Sequence, residues 1–192
     1  MIHKIRAQYA TDAKLIVTAC RLTPWKGVDG IIRALPRLIE VLGKLNFLVL
    51  GDGPQLEKLK SLAQELSVAD RVFFLGRFDQ EIVNNYTKAA DVYILNTNYE
   101  GLSHALLEVM RMGTPIIASK SGGNPEVIDD KVNGLLIRYN NIDDIVDAAQ
   151  KILSDPAQAR EYVGRGYEKL KIFSWDKNIA ATVKLINDIV YG

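Results

Sequence analysis

Two kinds of apolar pattern alternate along this chain, and that alternation limits its fold more than any other feature. Residues 14–20, 45–50, 71–75, 91–95, 114–119 and 134–137 are short runs that are apolar throughout instead of at every second position. Between them, apolar residues recur at helical spacing: Val28, Ile31, Ile32, Leu35, Leu38, Ile39 and Leu42, then Leu56, Leu59, Leu62 and Leu66, then a segment over 79–89. Strands buried on both faces and joined by helices form a parallel sheet covered on both sides. The expected fold class is therefore α/β, a single doubly wound parallel sheet with helices on both faces. Residues 1–13 read as a polar lead, Pro36 is expected to kink or break its helix, and Pro54 suits a first helical position. The chain from 141 onward reads as helices, broken near Asp155-Pro156 and again near Phe173-Ser174.

In such sheets ligands bind outside the carboxyl ends of the strands. The polar and glycine-rich segments all fall there: 21–27, Gly51-Asp52-Gly53, Gly76-Arg77-Phe78, 96–103 and 119–123. Five loops are thus expected to make one crevice. In the fourth, Glu100 and Glu108 flank a strand-to-helix turn formed by Gly101, Leu102, Ser103 and His104. A helix opening near Ser103 would aim unpaired N–H groups into that turn, a seat for a phosphate. Glu108 is suited to accept from a ribose diol, with an exposed helix carboxylate as the plainer reading. A carboxylate at Glu100 would repel a phosphate unless a sugar hydroxyl needed it.

Arg21 and Lys26 lie on the first loop, where a fork and a point charge could offset a diphosphate. His104 is a possible donor to phosphate or sugar, although a histidine at a helix start is more often a surface or packing residue. Gly122-Gly123 allow either a turn needed only for backbone geometry or a pocket wall that meets the ligand closely, and Gly51-Asp52-Gly53 are similarly open. Trp25 is expected to pack against the domain.

Composition narrows the partners. Lys plus Arg (24) nearly balance Asp plus Glu (23), so no global field points to nucleic acid, and an anion must be bound locally. One cysteine and two histidines exclude an internal disulfide framework and a His-rich metal cluster. No apolar run approaches a membrane span, and a cytoplasmic location is expected. G-x-G-x-x-G, the P-loop and G-x-S-x-G are all absent, which argues against dinucleotide redox enzymes, P-loop NTPases and serine hydrolases.

Arg21-x4-Lys26-Gly27, Gly51-Asp52-Gly53-Pro54, Val72-Phe73-Phe74-Leu75-Gly76, Ala90-Asp91-Val92-Tyr93, Glu100-x7-Glu108 with Leu107 and Met110, Gly113-x-Pro115-Ile116-Ile117-Ala118-Ser119, Gly122-Gly123-x-Pro125-Glu126 and Asn133-Gly134-Leu135-Leu136 follow one another in this order. Together they resemble the carboxyl-terminal half of retaining glycosyltransferases of family 4, from about residue 14 to the end. The resemblance implies a Rossmann-like donor domain, one half of a GT-B fold, that binds a nucleotide diphosphate-sugar. It implies that Arg21 and Lys26 hold the diphosphate, that the backbone at Leu102, Ser103 and His104 assists with Gly101 also in the donor site, that Glu108 holds the ribose, and that Glu100 contacts the transferred sugar. The base is expected near Arg77 and Phe78, with Gly51, Asp52, Gly53, Leu107, Gly122 and Gly123 completing the donor site. No cofactor or metal is expected.

Cys20, Val109 and Arg111 depart from residues common in the family, away from the expected contacts. The larger departure is length: an amino-terminal acceptor domain of comparable size is missing. Residues 1–192 are thus expected to be a donor-binding domain of low activity alone, with 174–192 a terminal helix that would pack toward the missing domain. Peripheral membrane contact is possible in a parent enzyme. The rivals are a non-catalytic nucleotide-sugar module and, ranked lower, a sugar-nucleotide epimerase domain.

Overall fold

In the computed structural model, residues 1–173 and 175–191 are described; Ser174 and Gly192 lie outside it, as do the side chains of residues 175–178, 180, 181 and 191. Six strands form one parallel sheet: β1 (Lys14–Ala19), β2 (Leu45–Leu50), β3 (Val72–Gly76), β4 (Val92–Leu95), β5 (Ile116–Ser119) and β6 (Leu135–Ile137). Their order is β3-β2-β1-β4-β5-β6. The chain moves outward from β1 in one direction, then returns to lay β4 against the other side of β1. That reversal is the topological switch point at which doubly wound sheets open a crevice.

Side-chain alternation sorts the core into two layers. Ile16, Phe47, Val49, Ile94 and Ile117 face one side, against α2 (Val28–Leu42), α3 (Leu56–Glu65) and α7 (Ile142–Ser154). Leu15, Val17, Leu48, Tyr93 and Ile116 face the other, against α1 (Ile2–Tyr9), α4 (Gln80–Ala89) and α5 (His104–Met112). The short α6 (Asn124–Val127) follows β5, and α8 (Pro156–Leu170) and α9 (Trp175–Tyr191) end the chain. The expected break at Pro156 is present, with Asp155 capping α8 through 3.0 Å bonds from the N–H groups of Ala157 and Gln158. The other expected break lies partly outside the described residues.

Three local expectations are corrected. The supposed lead is a helix: Ile2, Ile5 and Tyr9 recur at helical spacing, Tyr9 packs edge-on against Phe73 with ring centroids 5.0 Å apart, and Arg6 bonds Ala89 O at 2.7 Å and Asp91 at 3.2 Å. Pro36 does not break α2, which runs continuously through it. A proline inside a helix costs about 3 kcal/mol, whereas each buried aliphatic side chain contributes roughly 1.5–3 kcal/mol. Ile31, Ile32, Leu35 and Leu38 are fully buried on that helix, so packing wins. Pro54 lies in a turn ahead of α3, closed by Leu56 N–H to Gly53 O.

No helix among the described residues is long and apolar enough to cross a membrane. On α9, Ile179, Val183, Leu185, Ile186, Ile189 and Val190 are all exposed.

Candidate functional site

Past their amino halves, β1 and β4 diverge: only Ile16 and Val17 of β1 pair with Val92 and Tyr93. The buried Tyr93 hydroxyl fills the gap, donating to Ala19 O at 3.0 Å and standing 3.3 Å from Ala19 N. Its burial keeps the phenol protonated, pushing its pKa up against the opposing effect of the Ala19 bond. Beyond it opens a cavity of about 740 Å3. Its apolar floor includes Leu50, Val83, Tyr93, Ala105 and Val109, and its rim carries Arg21, Asp52, Arg77, Gln80, Asn84 and Glu108. Such a volume and lining suit a ligand of nucleotide size.

The charges on this rim are unevenly committed. Among the described residues, neither the Arg21 nor the Arg77 side chain has a hydrogen bond or an ion pair, so two guanidinium forks remain available to an anion. Asp52 is turned to its own loop, accepting from Gly53 N at 2.7 Å. Glu108 accepts from Gln80 Nε2 at 2.6 Å. Cys20 also lines the cavity, and burial pushes its thiol up to about 11, so it is neutral and a weak nucleophile near pH 7.

Of the residues singled out in the sequence, Arg21, Gly51, Asp52, Gly53, Arg77, Phe78 and Glu108 meet at this cavity. Lys26 and Glu100 do not line it. They form an ion pair of 2.6 Å beside it, with side-chain exposures of 18% and 22%. Ser103 caps α5 as expected, its hydroxyl 3.4 Å from Leu106 N. Gly101, Leu102 and His104 are exposed on that turn, and Leu107 is buried in the core. Trp25 is 49% exposed, contrary to the expected packing, because its backbone rather than its ring is held: Trp25 O accepts from Asn98 N at 2.8 Å.

The crevice is therefore narrower than five loops, because those after β1, β4, β5 and β6 are stitched together. Asn96 Nδ2 donates to Gly27 O at 2.7 Å and to Asn140 Oδ1 at 2.8 Å, while its Oδ1 accepts from Asn140 N at 2.9 Å. Ser119 Oγ accepts from Thr97 N at 2.9 Å, and Asn124 Nδ2 donates to Ser119 O at 2.9 Å. Two glycines at positive φ permit this. A Cβ at Gly27 (φ 54°) would strike Asn96, and one at Gly122 (φ 53°) would strike the carbonyl of Glu100. Gly122-Gly123 thus brace the Glu100 loop, Gly123 N donating to Glu100 O at 3.2 Å. Cys20 and Val109, expected to lie away from the ligand contacts, both line the cavity because β1 and α5 flank its floor, whereas Gln80 and Asn84 escaped sequence reading, since each looks like an ordinary helix residue until the fold brings it to the cavity.

A parallel sheet ordered in this way, with a nucleotide-sized cavity and free cations at its switch point, defines a Rossmann-like ligand-binding domain of the GT-B type. The family model "Glycosyl transferases group 1" matches residues 2–169, and the chain belongs to that family. It is 33% identical over 164 residues to a GDP-mannose-dependent alpha-(1-6)-phosphatidylinositol monomannoside mannosyltransferase of Mycolicibacterium smegmatis, a match covering 81% of this chain and 43% of that protein. Among solved structures, sucrose-phosphate synthase from Thermosynechococcus elongatus superposes with a TM-score of 0.84 at 28% identity, over 97% of this chain and 48% of that one. The Anabaena protein HepE, solved in complex with UDP, shares the fold with a TM-score of 0.84 at 22% identity, over 95% of this chain and 52% of that one. The chain spans about half the length of the relatives it matches.

Proposed function

We propose that this chain is the donor-binding, carboxyl-terminal half of a retaining glycosyltransferase of family 4, which transfers a sugar from a nucleotide diphosphate-sugar to an acceptor presented by a further domain. The observation that carries the proposal is the cavity rim: Arg21 and Arg77 are unpaired guanidinium groups, and Glu108 is a carboxylate with only a neutral partner. A nucleotide needs both signs in one place, cations for its phosphates and an acceptor for its ribose diol. The relatives' dependence on GDP-mannose and the UDP bound by HepE support the same ligand class.

In this reading the base lies on the apolar floor near Phe78 and the ribose hydroxyls donate to Glu108. The diphosphate meets Arg21 and recruits Lys26 from its pair with Glu100. The two cations then stabilise the charge that grows on the departing diphosphate, the task a metal performs elsewhere. The released Glu100 carboxylate becomes free to accept from hydroxyls of the sugar. Turnover by these residues alone is slow, because closure of a second domain excludes water and supplies the acceptor.

Calorimetry with uridine, guanosine and adenosine diphosphates tests the proposal. At least one binds, chelator leaves its affinity unchanged, and Arg21→Ala and Glu108→Ala each weaken it by roughly tenfold, the scale of one lost charge-assisted contact. Undiminished affinity in both variants would remove the site from this cavity.

A further inference from the structure

Gln80 is the first residue of α4, and Asn84 stands one turn behind it on the same wall of the cavity. The Gln80 amide nitrogen donates to Glu108 Oε2 at 2.6 Å and to Asn84 Oδ1 at 3.0 Å. An amide carries two N–H donors, so both are committed and the Gln80 head group is held from two sides. Among the described residues the Glu108 carboxylate has no other hydrogen-bond partner. Its carboxylate is thus oriented from a neighbouring helix rather than from its own.

The chemistry of that partner differs from what the other carboxylate of the same motif receives. Glu100 is paired with the Lys26 ammonium, which meets its charge. Glu108 is met by a neutral donor, which orders the side chain yet leaves the negative charge in place. A carboxylate has about four acceptor positions, and Gln80 uses one, leaving enough for two vicinal hydroxyls. Ordering before ligand arrival also removes an entropic cost that a free glutamate would meet on binding.

We propose that Gln80 is a positioning residue that presents the Glu108 carboxylate to a ribose diol and so sets a preference for ribose over 2′-deoxyribose nucleotides. The inference rests on the reading of the cavity as a nucleotide-sugar site, and it assigns a role to a residue with no motif around it. Gln80 is exposed, so its replacement leaves the core intact.

The test compares the affinity of uridine diphosphate with that of 2′-deoxyuridine diphosphate, or the two guanosine counterparts if guanosine diphosphate binds more tightly. The unaltered protein favours the ribonucleotide by roughly tenfold, the scale of a site built to pair a hydroxyl. Gln80→Ala weakens the ribonucleotide about fivefold and hardly moves the deoxy form, so the ratio collapses. Gln80→Glu sets a second carboxylate against Glu108; ribonucleotide binding is then poor at pH 8 and recovers toward pH 5, where one shared proton restores a donor. Equal weakening of both nucleotides by Gln80→Ala, or an unchanged ratio, overturns the role. If Glu108→Ala abolishes the discrimination while Gln80→Ala preserves it, Gln80 alone is misassigned. If the protein binds none of these nucleotides, or if Glu108→Ala leaves the discrimination intact, the donor-site reading fails and this inference with it.

Discussion

The loops that follow β1, β2 and β3 and those that follow β4, β5 and β6 end the same sheet, yet, apart from the 25–27 end of the first loop, which is stitched to the second group, they use their polar groups in opposite ways. On the β4–β6 side, Asn96, Thr97, Ser119 and Asn124 are buried, and they bond chiefly to one another and to the backbone of adjoining loops. On the β1–β3 side, the Arg21 and Arg77 side chains have no partner among the described residues, and the carboxylate that faces them across the cavity, Glu108 of α5 after β4, is met only by Gln80. Polar groups satisfied internally make scaffold, and polar groups left to solvent around an apolar floor make a binding surface. Lys26 and Glu100 sit on the boundary, satisfied by each other at 2.6 Å.

Asn96→Ala should have the largest effect if this division is right. It leaves Asn140 N and Asn140 Oδ1 without their partner and takes one of two donors from Gly27 O, at a position only 1% exposed, so stability should fall by about 3 kcal/mol in a denaturant titration. Arg21→Ala should change stability by less than about 0.5 kcal/mol, since it removes no internal partner. Comparable losses in the two variants would erase the distinction between scaffold and surface.

The boundary pair should give an intermediate effect of mixed sign. Lys26→Ala should weaken nucleoside diphosphate binding by roughly tenfold, the scale of one charge-assisted hydrogen bond. Glu100→Gln frees Lys26 from its carboxylate, so the same ligand should bind about threefold more tightly and with a steeper dependence on salt. Weaker binding in Glu100→Gln would show that the carboxylate does not compete with phosphate for the ammonium.

The smallest effect concerns Cys20. Burial raises its pKa to about 11, so the thiolate fraction keeps growing tenfold per pH unit past the value of 9.0 expected of a free thiol. Alkylation by iodoacetamide should be slow at pH 7, accelerate up to about pH 11, and slow further when a nucleoside diphosphate fills the cavity. A rate that levels near pH 9 would mean that the floor of the cavity is wetter than the structure makes it.

The sheet and its covering helices were legible because burial on both faces imposes runs that are apolar throughout, and because periodicity needs only local spacing. The helix at Ile2–Tyr9 was legible in principle too, from Ile2, Ile5 and Tyr9, but polar neighbours hid it. Pro36 misled because backbone propensity is local, whereas the packing that outweighs it comes from the sheet and from α7. The candidate site divides along the same line. The chemical types at Arg21, Lys26, Glu100 and Glu108 and the order of the motifs were present in the chain as written, and they carried the family.

Which partner each of those groups holds was decided only by tertiary structure. A hydrogen bond over about 3 Å depends on where two segments cross in space, and no spacing along the chain encodes that Lys26 meets Glu100 across 74 residues or that Gln80 meets Glu108 across 28. Sequence alone determined that this chain could build an anion-and-diol site at the carboxyl edge of a parallel sheet. Folding decided that half of that edge closes on itself, and that the guanidinium groups of Arg21 and Arg77 on the other half are left without a partner among the described residues.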